Sequence, residues 1–305
     1  MKTCARIKNQ TTVPMIVAAI VLIVMQSMAF AQSAATDTLS KIRKSGVVVV
    51  GHRTSSVPFS YLPGTSSAPM GYSISICERV VDALRASLRL PGIRIQYQPV
   101  SPENRVSLVT NRRIDMECGS TTDTEAMRKD VDFSATIFAA ATRVVVPRGA
   151  HIKSMRDLNG RKVAVTHGTA NEQVLEQFSR NHKLAIELVR GNDHDRSFST
   201  LRLGTADAVA MDDVLLIGMI NDAGDQGRYE FLDETLSSEP YGIMIHKDDP
   251  AFKKVVDRTI NEMIDQGVMA KLYLQWFRSP IPPKRVNLGL PFTEEMAKVL
   301  KLLPR

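Results

Sequence analysis

Four apolar β-type runs end on residues able to hold a small ion: 47–50 ahead of Arg53, 114–117 ahead of Ser120, 163–165 ahead of Thr169 and 206–211 ahead of Asp212. In open α/β sheets the carboxyl ends of the strands converge on a crevice, where loop side chains and free backbone N–H groups meet a ligand. Two guanidiniums, several hydroxyls and one carboxylate at such ends suit a small zwitterionic or anionic molecule. Ser120 and Thr122 can offer hydroxyls and N–H groups where the chain turns from a strand toward a helix N-terminus, with Thr122 or Asp123 as the cap. Thr169, after Gly168, precedes a helix in the same way. Asp212 faces the crevice, while Asp213 is placed to cap the helix that follows. The six histidines are dispersed and no CxxC or HExxH occurs, so neither a metal nor a cofactor is expected. No convincing acid–base pair marks a catalytic centre.

The elements that must position these residues alternate between strand and helix, as an α/β fold with largely parallel sheets requires. A short helix at 39–44, capped near Asp37 or Thr38, leads to the strand 47–50. From 72 to 88, Cys77, Val80, Val81, Leu84 and Leu88 recur at helical spacing and define one buried face. A strand at 93–100, a helix at 103–109 and a strand at 114–118 complete a first series. The cycle restarts after Arg148-Gly149, with a short helix at 154–158, strands at 162–165, 186–189, 206–211 and 229–232, and helices at 171–179 and about 195–203. Three helical stretches, 251–265, 269–277 and 293–302, close the chain. The extended segments 141–147 and 241–246 bracket the second series and are expected to be paired crossovers between two lobes, a hinge across a cleft. The C-terminal helices have no strands of their own and need the first lobe to pack on. The expected division is a leader at 1–31, a first lobe of 32–145 plus 242–305, and a second lobe of 146–241.

Lys2, Arg6 and Lys8 precede the apolar run 13–25, and Ala29-Phe30-Ala31 supplies small residues at a cleavage site, so an export leader cut after Ala31 is expected. The apolar stretch is shorter than the roughly 20 residues of a spanning helix. Cys4 precedes that stretch and is no lipid-attachment site. The leader removes three basic and no acidic residues from a formal charge of +7, leaving about +4 spread among carboxylates rather than in a stripe. That pattern argues against a nucleic-acid partner. Cys77 and Cys118 would enter an oxidising compartment where a bridge is allowed. Their places, on a helix's apolar side and at a strand end, predict two buried thiols instead.

Val50-Gly51-His52-Arg53, Ser56-Val57-Pro58-Phe59-Ser60-Tyr61, Gly71-Tyr72-Ser73 and Glu117-Cys118-Gly119-Ser120-Thr121-Thr122 together resemble the glutamate/aspartate-binding proteins of bacterial amino-acid ABC transporters, within bacterial solute-binding protein family 3. The likeness continues in order through Gly168-Thr169, Asp193-His194, Ser197-Phe198, Met211-Asp212-Asp213, Tyr241-Gly242, Lys247-Asp248-Asp249-Pro250 and Ile281-Pro282-Pro283-Lys284, and so covers essentially the mature chain. It implies a two-lobed periplasmic binding protein type II fold, each lobe a mostly parallel sheet with flanking helices joined by two hinge crossovers. It also implies a monomeric periplasmic receptor that carries an acidic amino acid to an inner-membrane ABC permease and catalyses nothing. By the same resemblance Arg53 holds the ligand's side-chain carboxylate, Arg105 is a second cleft arginine, His194 lies near the side-chain carboxylate and Asp212 meets the ammonium.

Several positions depart from the family pattern. The arginine that holds the α-carboxylate in the family falls at Met127 here, and Arg128 follows one residue later, about 100° around a regular helix. Either the local helix start is re-registered so that Arg128 substitutes, or the α-carboxylate is held by other groups. Pro102, His167 and Ala170 replace family hydroxyls. Two alternatives share the fold: a periplasmic enzyme of the cyclohexadienyl or arogenate dehydratase type, and a receptor serving a sensor kinase.

Overall fold

The computed structural model describes residues 37–66 and 68–302, so the expected leader lies outside the described residues. Helix α1 (Thr38–Ser45) is capped by the Asp37 carboxylate, which accepts from the Leu39 N–H, and ends at Gly46 in the left-handed region. The four valines that follow open β1 (Val47–His52), where β-branched side chains suit a pleated, buried surface. Two short strands, β2 (Ser55–Ser56) and β3 (Ser60–Tyr61), form a hairpin, and α2 (Tyr72–Leu88) buries the expected apolar face. Gly71 starts that helix at φ 136°, and a Cβ there would lie 2.2 Å from the Phe59 carbonyl oxygen. Then come β4 (Arg94–Pro99), α3 (Arg105–Thr110), β5 (Met116–Glu117) and β6 (Val131–Phe133).

The chain next leaves this sheet along β7 (Phe138–Pro147) and builds β8 (Lys162–Thr166), α4 (Ala170–His182), β9 (Glu187–Gly191), α5 (His194–Arg202), β10 (Ala208–Asp212), α6 (Asp213–Asp222) and β11 (Tyr229–Phe231). It returns through β12 (Ser237–Tyr241) to β13 (Met244–His246), and ends in α7 (Pro250–Asp265), α8 (Val268–Phe277) and α9 (Glu294–Val299). The first sheet has the order β4-β1-β5-β13-β6, with β1 parallel to both β4 and β5 and with β13 inserted antiparallel. The second runs β11-β7-β10-β8-β9, parallel through β10, β8 and β9, with β12 laid antiparallel on β7.

The two connections between sheets are β7 and β12, paired from Thr142 opposite Ser237 to Phe138 opposite Tyr241. The first ends where expected, at Pro147, and begins three residues earlier than the expected 141. The second begins four residues earlier than expected and breaks at Gly242-Ile243 before β13, because its polar Ser-Ser-Glu-Pro sequence hides an edge strand whose proline needs no inward donor. Each crossover plants one aromatic ring, Phe138 and Tyr241, into a cluster with Phe59, Tyr72, Tyr273 and Phe277. The C-terminal helix α8 thus packs on the first lobe and on the hinge together.

Two expectations are corrected. No α-helix follows Ser120 and Thr122: Thr122 pairs with Tyr241 as a β-bridge, the Asp123 N–H donates to the Pro240 carbonyl, and only a single 3-10 turn forms at Met127–Lys129. The returning crossover captures the backbone groups that a helix would have used. Cys77 and Cys118 are bridged rather than free, with Cα atoms 6.4 Å apart, because α2 lays its buried face on the end of β5. Beside the bridge, Ser73 Oγ donates to the Gly119 carbonyl at 2.7 Å, so the loop carrying Ser120 is tied twice to α2. The bridge closes a 41-residue separation. Replacing both cysteines by alanine is expected to cost about 2–4 kcal/mol in urea unfolding, with dithiothreitol giving the parent a similar loss and leaving the double variant unchanged.

Candidate functional site

Arg53 leaves the carboxyl end of β1 and is fully buried. Its backbone N–H donates to Ser60 Oγ at 2.9 Å, which fixes the direction of the side chain. The guanidinium donates through Nη2 to Asp193 Oδ1 on the second lobe, while Nε and Nη1 have no partner in the protein. Buried donors without partners are rare and costly, so this edge of the guanidinium is set for an anion. The Ser56 and Ser120 hydroxyls are buried and unpartnered as well.

Arg105 opens α3 and is 2% exposed. Its Nη1 donates to Thr121 Oγ1 at 2.6 Å, and that hydroxyl donates to Glu117 Oε2 at 2.7 Å. Nε of Arg105 and Oε1 of Glu117 are left without partners. Burial lowers the Arg105 pKa to about 10, against the attraction of Glu117, so the guanidinium stays charged at neutral pH. Burial raises the Glu117 carboxyl, opposed by Arg105, the Thr121 hydrogen bond and Arg53. Gly119 makes room for this pairing: a Cβ there would lie 2.1 Å from Glu117 Oε1 and 3.0 Å from Arg53 Cγ.

The second lobe answers with acids and hydroxyls. Thr169 caps α4, its hydroxyl donating to the Thr166 carbonyl at 2.7 Å. Asp193 caps α5, and its Oδ1 gathers the His194 N–H at 2.7 Å, Ser55 Oγ at 2.7 Å and Arg53 Nη2. Burial alone would raise the Asp193 carboxyl, but Arg53 and its hydrogen-bond donors hold it below the usual range. His194, whose Nδ1 lies 3.0 Å from Thr166 Oγ1, is pushed down to about 3 by burial and by Arg53, and is therefore neutral. Asp212 ends β10, its Oδ1 accepting from Asn171 Nδ2 at 2.9 Å and Oδ2 from the Tyr241 hydroxyl at 2.6 Å. Burial raises its pKa to about 7, with the charges of Glu239 and Asp213 adding to the shift. Asn171 also donates to Thr142 Oγ1 at 2.8 Å, so the Asp212 carboxylate is braced by both crossovers and by α4. Asp213 orders the start of α6 by accepting from the Val214 and Ala141 N–H groups.

Arg53, Arg105, Ser120, Thr122, Thr169, His194 and Asp212 are all buried at the facing ends of the two sheets. The Arg105 guanidinium lies within electrostatic reach of Glu117, Arg53 and Asp212, which places these groups in one neighbourhood. Arg128 is not brought there. It is half exposed, gripped by Asp123 through Nε at 2.5 Å and through Nη2, with Asp132 at 3.6 Å and the Phe133 ring below. Met127 packs beneath the first sheet with Val100, Val109 and Ile114. The re-registration that would put Arg128 in the cleft does not occur, because the 3-10 turn aims it at two surface carboxylates. Sequence reasoning noted Ser55 only as part of the hydroxyl-rich loop 54–56 beside Arg53, gave Asn171 no role beyond a helix start, and quoted Asp193 and Tyr241 without a role. Asp193 carried one usable signal, an acid two residues ahead of the helix expected at about 195–203, which in the structure starts at His194 with Asp193 as its cap.

The arrangement holds two guanidiniums, with Glu117 beside them, and free donors on the first lobe, and the Asp193 and Asp212 carboxyls on the second. It can clasp a molecule with an anionic end and an ammonium end, each group being worth most when desolvated and matched. No cluster of three or more His, Cys, Asp or Glu able to hold a metal is present among the described residues, and no helix among them is long and apolar enough to cross a membrane.

Comparison with known proteins agrees with this architecture. The L-glutamate/L-aspartate-binding protein of Pseudomonas aeruginosa is 40% identical over 265 residues, 87% of this chain and 88% of that one. The glutamate/aspartate import solute-binding protein of Escherichia coli is 39% identical over 271 residues, covering 89% of each. Both are named for binding or import rather than for a reaction. Among solved structures, the ancestral amino acid-binding protein described as a precursor of cyclohexadienyl dehydratase superposes with a TM-score of 0.68 at 25% identity, over 79% of this chain and 99% of that one. The cysteine-binding protein of Campylobacter jejuni gives 0.70 at 23% identity, over 79% and 92%. Residues 48–279 match the model of the bacterial extracellular solute-binding proteins, family 3, and with two relatives near 40% identity over almost nine-tenths of its length the chain belongs to that family.

Proposed function

We propose that this protein is a periplasmic receptor for an acidic amino acid, glutamate or aspartate, which closes its two lobes on the ligand and passes it to an ABC permease in the inner membrane. The observation that carries this reading is the buried, unpartnered edge of Arg53 and of Arg105 on one lobe, set against the buried Asp212 carboxylate on the other. In this reading Arg53 takes the side-chain carboxylate beside neutral His194. Arg105, with Ser120 and Thr122, takes the α-carboxylate that Arg128 is too far out to reach. Asp212 takes the ammonium, and Thr169 presents the first turn of α4. The lobes divide as 32–145 plus 242–305 and 146–241, with β7 and β12 as the shared hinge. The protein works as a monomer after losing residues 1–31.

Closure follows from charge placement, since a ligand touching both lobes binds the closed form better than the open one. Isothermal titration calorimetry against glutamate and aspartate tests the reading, and an absence of heat with both would end it. Arg53→Ala is expected to cost about 2–5 kcal/mol of binding free energy, because a desolvated carboxylate loses its partner. Arg128→Ala, by contrast, is expected to leave the dissociation constant within about twofold, as for an exposed ion pair.

The raised Asp212 carboxyl sets a pH dependence. An ammonium favours the ionised form, so below about pH 7 binding must expel a proton. Affinity is expected to fall by up to about tenfold per unit as pH drops from 7 to 5, and Asp212→Asn to bind more weakly with that slope removed. In the ligand-free protein the same shift acts in the opposite sense. Asp212 ionises more easily unfolded than folded, so its own contribution to stability is lost as pH rises through about 7.

A further inference from the structure

Beyond the carboxylate and ammonium grips, the lobes meet along a second seam. The segment after α8 folds back at the bridge between Ile281 and Val286, where the Ile281 N–H donates to the Val286 carbonyl at 2.9 Å. It is fastened to the first lobe by the Tyr61 hydroxyl, which donates to the Pro282 carbonyl at 2.6 Å, and by the burial of Ile281. At the tip of this hairpin Lys284 reaches the second lobe. Its ammonium donates to the carbonyl oxygen of Asp222 at 2.6 Å and to the same residue's Oδ2 at 2.9 Å. Asp222 is the last residue of α6, where free carbonyls and the negative end of the helix dipole favour a cation.

One helical turn earlier, on the same face of α6, Gly218 lies against the first lobe so closely that a Cβ would stand 2.5 Å from the Val57 carbonyl oxygen. Residues 218 and 222 therefore form one docking face. Between that face and the hairpin lies a cavity of about 280 Å³, walled by Val57, Tyr61, Asp195, Gly218, Asp222 and Lys284. The seam borders the ligand cleft: Ser55, which binds Asp193, lines the same cavity. Of these contacts, Lys284 on Asp222 and Gly218 on Val57 join the two lobes, while the Tyr61 and Ile281 contacts anchor the hairpin to the first lobe.

We propose that Lys284 is a positioning residue for ligand retention: the C-terminal hairpin is a latch on the end of α6 that slows reopening of the closed lobes. This rests on the reading that ligand is held by lobe closure. The latch touches no proposed ligand contact, so it acts on the open–closed equilibrium alone. Both partners are about half exposed, which limits the effect.

In stopped-flow dissociation with glutamate or aspartate, Lys284→Ala and Asp222→Ala are each expected to raise the off-rate about two- to fivefold with the on-rate unchanged. The double variant is expected to match the larger single effect, and salt to bring the parent's off-rate toward that of the variants. A hairpin residue with only a structural role within its own lobe would lower the melting temperature without this coupling to Asp222. Unchanged off-rates, or additive effects, overturn the latch. A second measurement needs no ligand: spin labels on Lys44→Cys and Gln177→Cys, exposed on opposite lobes, report the interlobe distance. The Lys284→Ala background is expected to broaden that distribution relative to the parent, and identical distributions overturn the proposal. If the parent binds neither acidic amino acid, the receptor reading falls while the label distances still decide the latch.

Discussion

The structure depends on accommodating a guanidinium inside protein. Arg53 is fully buried, and the one acid it hydrogen-bonds is Asp193, contributed from the other lobe 140 residues away, with the Glu117 carboxyl also close enough to feel its charge. A buried cation with one partner and two idle donors is a poor resting arrangement, since each unmet donor costs free energy. The sequence around it is shaped by this requirement. Gly119 clears space beside the side chain, Ser60 fixes its backbone, and Ser55 shares the Asp193 oxygen. Removing Asp193 would leave the cation without its ion-pair partner, so the two lobes are electrostatically linked.

The hinge applies the same principle to a carboxylate. Asp212 is held between Asn171 and Tyr241, and through Asn171 it reaches Thr142. Tyr241 is both a ligand of that carboxylate and a ring in the aromatic cluster that fastens α8 to the crossovers. A rotation about β7 and β12 therefore cannot occur without moving Asp212 against that cluster. Glu239, buried on β12 and accepting from Thr142 at 3.1 Å, keeps a second acid close by and raises the cost of ionising Asp212 further. The hinge carries its charge in a state that a cation relieves.

What could be read from sequence followed the range of the forces involved. The stripe on α2, the valine run of β1 and the caps at Asp37 and Thr169 are local, and their elements fall within a few residues of expectation. The bridge between Cys77 and Cys118 was missed because buried position predicts a buried sulfur, whereas pairing is decided by how α2 settles on β5. The helix expected after Thr122 failed because β12, more than a hundred residues later, competes for the same backbone groups. Strand-end logic and resemblance single out Arg53, Arg105 and Asp212, all of which are buried, whereas Asp193 draws its partners Arg53 and Ser55 from the other lobe, more than a hundred residues away in sequence. The displaced arginine shows the limit of alignment: one residue of offset moves Arg128 from a cleft position to a surface ion pair with Asp123.

Segregating charge by lobe has a consequence for discrimination. In the proposed mode of binding, a ligand lacking the anionic end leaves Nε and Nη1 of Arg53 unmet, and one lacking the cationic end leaves Asp212 to be buried ionised or to take up a proton. Either omission is penalised only in the closed state, where water is excluded, so selectivity resides in closure rather than in first encounter. Contacts that are indifferent to the ligand, such as Lys284 on Asp222 and Gly218 on Val57, stabilise closure for every occupant equally. They slow release while leaving the ratio between ligands unchanged. On the proposed roles, recognition and residence are set by different residues on different edges of the same cleft.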